Sequence, residues 1–415
     1  MTVSAMPRTD GAARSEFGAA RPIAGWRVVA TCFLMAVYAW GLGFYGLSVY
    51  VQHLGGLEGR SPALLSAATT FYFVLGAAAM AATGRASTRL GWRALASLGV
   101  ATMACAATGV AWAPNQPTLF VAYAALAIGW AACSGTAISH IVGRWFKRRR
   151  GLALSLALTG ASFGGILVVP VMVAAIGATG AREGVSLTAI ALAALMLPLV
   201  WRNLVEPQDE EGPEDGVEPV ARAMPATASA EERATLLRVG ALFATGWFAQ
   251  VAFLSLQIPI LAPRLGDAGA AAAVSVTTGA AIAGRLVLGA VVDRLDHRWL
   301  TATSFLLQAA GMLTLLMWDD PVATFAGCLM FGFSVGNVIT LPAVFAQHEF
   351  DPARYGIVIA RVWTAGQLVF AFGPVCAGLL LQATGAGWPV LAGCAACQAV
   401  AALLCLHRRP TGDRR

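Results

Sequence analysis

Twelve predominantly apolar stretches of about twenty residues follow one another along this chain, each near the length a helix needs to cross a bilayer. They run 27–51, 62–83, 94–112, 117–142, 151–177, 186–204, 236–261, 270–292, 299–318, 321–346, 354–382 and 388–406. Backbone groups in lipid must be satisfied within their own segment, so helices are the expected form. Only 12% of the residues are charged, about half the share of a soluble domain, which marks a polytopic membrane protein.

The one long polar stretch, at 205–235, is rich in Glu, Pro and Ala and has nothing to bury. It reads as a cytoplasmic linker between a six-helix bundle at 27–204 and a second at 236–406. Residues 1–26 and 407–415 read as cytoplasmic tails, and no cleavable signal is expected in the first. With the N-terminus inside, 23 Lys and Arg fall on the cytoplasmic side and 3 (Arg60, Arg182, Arg264) on the outer side. That asymmetry predicts two cytoplasmic termini, and it explains the +7 net charge better than nucleic-acid binding does. Arg outnumbers Lys 27 to 1, which fits a bacterial inner membrane on compositional grounds. All eight cysteines lie in apolar segments and read as small buried hydrophobes; neither a metal nor a cofactor is expected.

The halves repeat. Gly84–Arg93 aligns with Gly289–Arg298 at an offset of 205, and the same offset carries Gly151 onto Gly356 and Tyr45 and Gln52 onto Gln250 and Gln257. Parallel six-helix repeats are a transporter design, with the substrate site between the halves near the midplane.

Two charges interrupt the apolar pattern. Arg285 is eight residues before Asp293, about 12 Å from the cytoplasmic end of its helix; Arg361 is nine after Pro352, about 14 Å. Both therefore reach the middle of a hydrocarbon core whose half-thickness is about 15 Å. No Asp or Glu sits at that depth in the sequence. Two buried cations without a buried anion predict an anionic substrate, and the planar fork of arginine suits a carboxylate. The competing readings are a snorkelling side chain or one that caps a broken helix. The counterparts in the first half are Met80 and Leu156, so the pair belongs to the second half alone.

Around this pair a polar wall is expected. Tyr38, Tyr45 and Gln52 are spaced by seven, as are Gln250 and Gln257, with Trp247 one turn earlier. Ser334, Asn337 and Thr340 recur every three residues. These groups either line a wet cavity or bond helix to helix. Trp363 reads as packing. His140, near the cytoplasmic end of segment four, is a candidate proton relay or an interfacial ring. Gly160, Gly164, Gly165, Gly366 and Gly373–Pro374 predict close helix contacts that slide as the halves rock.

The chain resembles the major facilitator superfamily over essentially its whole length, on its twelve segments, central linker and G-x-x-x-D-R-x-x-x-R stretch at Gly289–Arg298. The first copy departs from that pattern, with Thr88 where the family has Asp. The resemblance implies an all-α fold of twelve transmembrane helices in two pseudo-twofold bundles, and a gating role for Arg89, Asp293, Arg294 and Arg298. Within the superfamily it is similar to monocarboxylate porters and oxalate/formate antiporters. This rests on Trp145–Ala153 entering segment five, on Gly284-Arg285-Leu286 and on the basic Arg361; Gly25-Trp26 is suggestive. In those relatives an arginine of segment eight binds the substrate carboxylate, and oxalate carriers add a cation in segment eleven. The expected function is secondary active transport of a small carboxylate, as proton symport or anion exchange. A drug exporter of the same fold would want a buried acid, and a membrane sensor would want a soluble output domain.

Overall fold

The computed structural model describes residues 13–146, 150–205, 230–291, 294–351 and 354–406. Asp293 and most of the expected linker and tails lie outside the described residues. The regular elements are helical. A first rod joins α1 (Ala13–Trp40), a π-turn (Gly41–Tyr45) and α2 (Gly46–Leu54). Then come α3 (Pro62–Trp112), α4 (Gln116–Cys133) and α5 (Gly135–Trp145). Next, α6 (Arg150–Phe163) runs through a second π-turn (Gly164–Val168) into α7 (Val169–Thr179), and α8 (Ala181–Asn203) closes the first half. The second half holds α9 (Ala230–Val291), α10 (His297–Met317), α11 (Pro321–Glu349), α12 (Tyr355–Phe370), α13 (Gly373–Thr384) and α14 (Trp388–Leu406).

Among the described residues ten helical stretches are long and apolar enough to cross a membrane. Two of them, of 51 and 57 residues, are double length. A straight 51-residue helix would be about 76 Å long, far beyond a hydrocarbon core of about 30 Å. Each breaks at a glycine, Gly91 with φ 73° in α3 and Gly266 with φ 70° in α9, a conformation that costs glycine little and other residues much. The polar loop expected at 84–93 is thus helical up to a single-residue kink.

The ends of the helices define two faces. The near side carries Arg27, Arg93, Asn203, Glu232, Glu349 and Arg354; the far side carries Gly55, Ala113, Gly180, Gly266, Trp318 and Gly385. Far-side helix starts are capped in the ordinary way: Ser61 accepts from the Leu64 N–H, Asn115 and Thr118 form a capping box, and Asp320 accepts from the Ala323 N–H.

The repeat read from sequence has a packing counterpart. In the first half α3 and α4 cross glycine to glycine: a Cβ on Gly99 would lie 3.0 Å from the Gly129 carbonyl oxygen, and one on Gly129 would lie 2.9 Å from that of Gly99. In the second half Gly311 of α10 and Gly327 of α11 do the same, at 2.7 and 2.8 Å. Small residues at these crossings let backbones approach where lipid offers no hydrophobic drive.

The two halves are clasped at the far side. The Ile258 N–H donates to Ser48 Oγ (2.8 Å), the Val375 N–H to Thr70 Oγ1 (3.2 Å), and Ser275 Oγ to the Ile166 carbonyl (3.2 Å). Val375 lies in the first turn of α13, where N–H groups have no partner within the helix. The buried apolar core follows the same plan. One cluster runs through the first half into the far part of the second; the other, around Phe243, Trp247, Phe305 and Phe345, stays in the near part of the second half.

The glycines expected to slide between halves mostly pack within one. Gly160 and Gly164 sit against Phe33, Val37 and Gly41 of the first rod, and Gly366 and Gly373 against Trp247, Phe248 and Ala252 of α9. Of those named, Gly165 faces the other half, where a Cβ would lie 2.5 Å from Thr278 Cγ2.

Candidate functional site

Arg285 reaches the junction of the halves because α9 and α11 are almost in backbone contact. Gly332 and Gly336 of α11 face Thr277 and Ala281 of α9, and Gly284 of α9 faces Phe333 of α11. A Cβ on Gly336 would lie 2.7 Å from Arg285 Cγ and 2.9 Å from its Nε. The arginine therefore lies over a glycine that has no side chain to displace it. It is half-buried, and it interacts electrostatically with Tyr45 of the first half. The spacing Gly332-x-x-x-Gly336 was visible in the sequence, and it is the signal by which this floor could have been found.

Tyr45 lies within electrostatic range of Arg285, but Tyr38 is engaged elsewhere. Its hydroxyl donates 2.8 Å to the Val100 carbonyl inside the first half. The spacing of seven fails because the π-turn Gly41–Tyr45 lies between them. A π-turn inserts one residue into the α-helical register, which turns later side chains by about 100°. The turn is held by its fellow in the fifth segment: a Cβ on Gly41 would lie 2.6 Å from Val168, and one on Gly164 would lie 2.6 Å from the Gly41 nitrogen.

Gln52 lies at the far end of α2, where Nε2 donates 3.1 Å to Asp267 Oδ1, so it belongs to the clasp and not to the wall around Arg285. Gln257 is fully buried and donates from Nε2 to Thr277 Oγ1 (2.8 Å), which makes it a bond within the second half. Gln250 and Asn337 fit the cavity reading better. Both are buried, and Gln250 Oε1 and Asn337 Oδ1 have no hydrogen-bond partner among the described residues. The same holds for Ser334 Oγ and Trp247 Nε1. Buried polar atoms are ordinarily paired, so these unpartnered atoms of α9 and α11 point to a polar solute or water.

Arg361 departs from its expectation of a buried cation: it is exposed on α12, and it is not without a partner. Near it, Trp363 stacks on Trp247 with ring centres 4.5 Å apart, as packing requires.

The expected gating residues divide. Arg89 and Arg294 are exposed at the near side. Arg298 is committed within the second half: its Nε donates 2.8 Å to Glu349 Oε1, while Arg238 donates 2.6 Å to Oε2 and His297 Nε2 lies 3.3 Å from Oε1. Glu349 is only 6% exposed, and a carboxylate so buried needs such neighbours. His140 is an exposed near-side ring stacked on Trp92 at 5.4 Å, away from the central residues.

Comparison with known proteins places this geometry. A 3-(3-hydroxy-phenyl)propionate transporter of Escherichia coli (strain K12) is 29% identical over 292 residues, covering 68% of each chain. Monocarboxylate transporter 11 of Homo sapiens is 28% identical over 382 residues, covering 87% of this chain and 78% of its own. Among solved structures, a D-xylose-proton symporter superposes with a TM-score of 0.71 at 15% identity, covering 92% of this chain and 97% of its own. A nucleoside transporter does so with a TM-score of 0.71 at 12% identity, covering 92% and 98%. The model of the Major Facilitator Superfamily matches residues 15–374 and again 258–415, and the chain belongs to that superfamily.

Proposed function

We propose that this protein carries a small organic carboxylate across a membrane by alternating access, with Arg285 as the group that holds the anion. One observation carries this reading: Arg285 lies over Gly336 of its own half and within electrostatic range of Tyr45 of the other. A guanidinium stays charged when buried and offers two parallel donors to a carboxylate. A substrate bound there touches both halves, so its binding favours their closure around it. Gln250, Ser334 and Asn337 supply further polar contacts. The two bundles are residues 27–204 and 236–406, both termini are cytoplasmic, and the membrane is the bacterial inner membrane.

The names of two relatives support the substrate class, since one is an arylpropionate carrier and the other a monocarboxylate carrier. An exporter of organic cations fits less well. The buried acid of the second half, Glu349, is already engaged by Arg238 and Arg298 at the near side. The test is uptake into proteoliposomes of a panel of aliphatic, aryl and dicarboxylic acids, with and without a pH gradient or internal anion. Saturable uptake of at least one acid supports the reading; uptake of none, together with transport of cationic compounds, contradicts it.

A further inference from the structure

At the far end of the first rod, three side chains from opposite halves meet. His53 Nδ1 is 3.9 Å from Asp267 Oδ2, and Gln52 donates to Asp267 Oδ1 at 3.1 Å. His53 is 11% exposed and Asp267 47%, so the acid touches solvent and the imidazole is mostly enclosed. Asp267 directly follows the kink glycine Gly266, so it sits at the turn where the two arms of α9 meet. A cavity of about 360 Å³ is lined by His53, Asp267, Ala268 and Ala271, together with Pro170 and Val173 of α7. That space is ample for several waters. His53 Nε2 has no hydrogen-bond partner among the described residues.

We propose that His53 and Asp267 form a proton-binding latch that holds the far side shut when His53 carries a proton and Asp267 does not. The ligand is the proton itself. It comes from cavity water to the imidazole or the carboxylate and returns to it, and no other bond changes. Closed, the pair is an ion pair across the two halves, with Gln52 holding the second carboxylate oxygen. If Asp267 gains a proton, the anion is lost. If His53 loses its proton, the cation is lost. Either change leaves only the Gln52 contact and the neutral bonds of the clasp. Closure is thus favoured in the pH window where both charges coexist and weakened on both sides of it.

The charges described near the pair are engaged with other groups. Arg264, one turn before Asp267, is held by Asp319 (2.7 Å) and by the carbonyls of Leu315 and Trp318. Arg60 donates to the carbonyls of Val110 and Ala113. Arg182 lies over the Trp112 ring, and Glu183 is in contact range of Gly180 at the start of α8. The face of α7 on the cavity contributes Pro170, Val173, Ala174, Ile176 and Gly177, none of which titrates. With the far side external, as the distribution of basic residues predicts, the latch reads the external proton concentration.

The test needs no substrate. Hydrogen–deuterium exchange is followed on the full chain in lipid nanodiscs from about pH 3 to about pH 8.5, a range that extends below the value of a free aspartate, about 3.9, and above that of a free histidine, about 6.5. Exchange of peptides covering 48–56 and 264–271 is divided by that of near-side peptides, which cancels the intrinsic pH dependence. Far-side protection should pass through a maximum, with a change of roughly two- to fivefold on each limb, the scale of one partly exposed ion pair. Asp267→Asn should flatten both limbs. His53→Gln, which removes the cation at every pH, should likewise flatten both limbs. The exchanged pair, His53→Asp with Asp267→His, should restore the maximum even if a single variant folds poorly. A flat wild-type profile, or a maximum that survives in Asp267→Asn, overturns the proposal.

Discussion

Gly336 lies directly under Arg285: a Cβ there would come within 2.7 Å of Arg285 Cγ and 2.9 Å of its Nε. The glycine decides where the guanidinium sits. In Gly336→Ala the added methyl would also come 2.4 Å from the Ala281 carbonyl oxygen, so the α9–α11 crossing must open and the arginine is displaced with it. Displacements of about 1 Å at a recognition group can cost a hundredfold. Initial uptake should fall by about tenfold or more, and the thermal midpoint should also fall by several degrees, since overpacking costs about 1–3 kcal/mol. Uptake and unfolding measured on one preparation separate the two effects.

The choice of arginine over lysine is separately testable. Arg285→Lys keeps the charge and loses the two-pronged geometry, while Arg285→Gln loses both. Hydrogen bonds to charged groups contribute about 1.5–3 kcal/mol. Lysine should therefore weaken carboxylate affinity by about tenfold and glutamine by about a hundredfold, read from the substrate concentration that half-saturates uptake.

Gln257 should be nearly silent in transport. Its bond to Thr277 joins two arms of α9 within one half, and such intramembrane bonds average about 0.6 kcal/mol. Gln257→Leu should keep uptake within about twofold of wild type and shift the thermal midpoint by about 2 °C. Gln250→Ala and Asn337→Ala, by contrast, should raise the half-saturating concentration.

Glu349 is a structural anion. Removing its charge leaves Arg238, Arg298 and His297 facing one another in a mostly enclosed site. Breaking one partner of a buried ion pair costs about 3–5 kcal/mol. Glu349→Gln should lower the thermal midpoint by roughly 6 °C or more and reduce the yield of folded protein.

Much of this was legible in the chain. The apolar segments follow from hydropathy, and Arg285 stands out by the cost of a charge in lipid. The residues around Arg285 were harder to read. Spacing by seven places Tyr38 and Tyr45 on one face only if the helix stays α-helical, and the π-turn at Gly41–Tyr45 has no hydropathy signature. The same spacing says nothing of which neighbour a face meets, so Gln257 and Gln250 looked alike although one is bonded within its half. Arg361 looked buried because its segment is apolar, but the sequence does not say which face of that helix is accessible. Gly91 and Gly266 resembled loop residues, because positive φ is a property of the backbone that many glycines never use.

The most direct test of the account is uptake by Arg285→Gln of whichever acid the wild-type protein takes up best from the carboxylate panel, in proteoliposomes matched for folded protein. The account predicts that saturable uptake is lost while the thermal midpoint stays within a few degrees of wild type. Uptake at the wild-type rate and half-saturation by Arg285→Gln would contradict it.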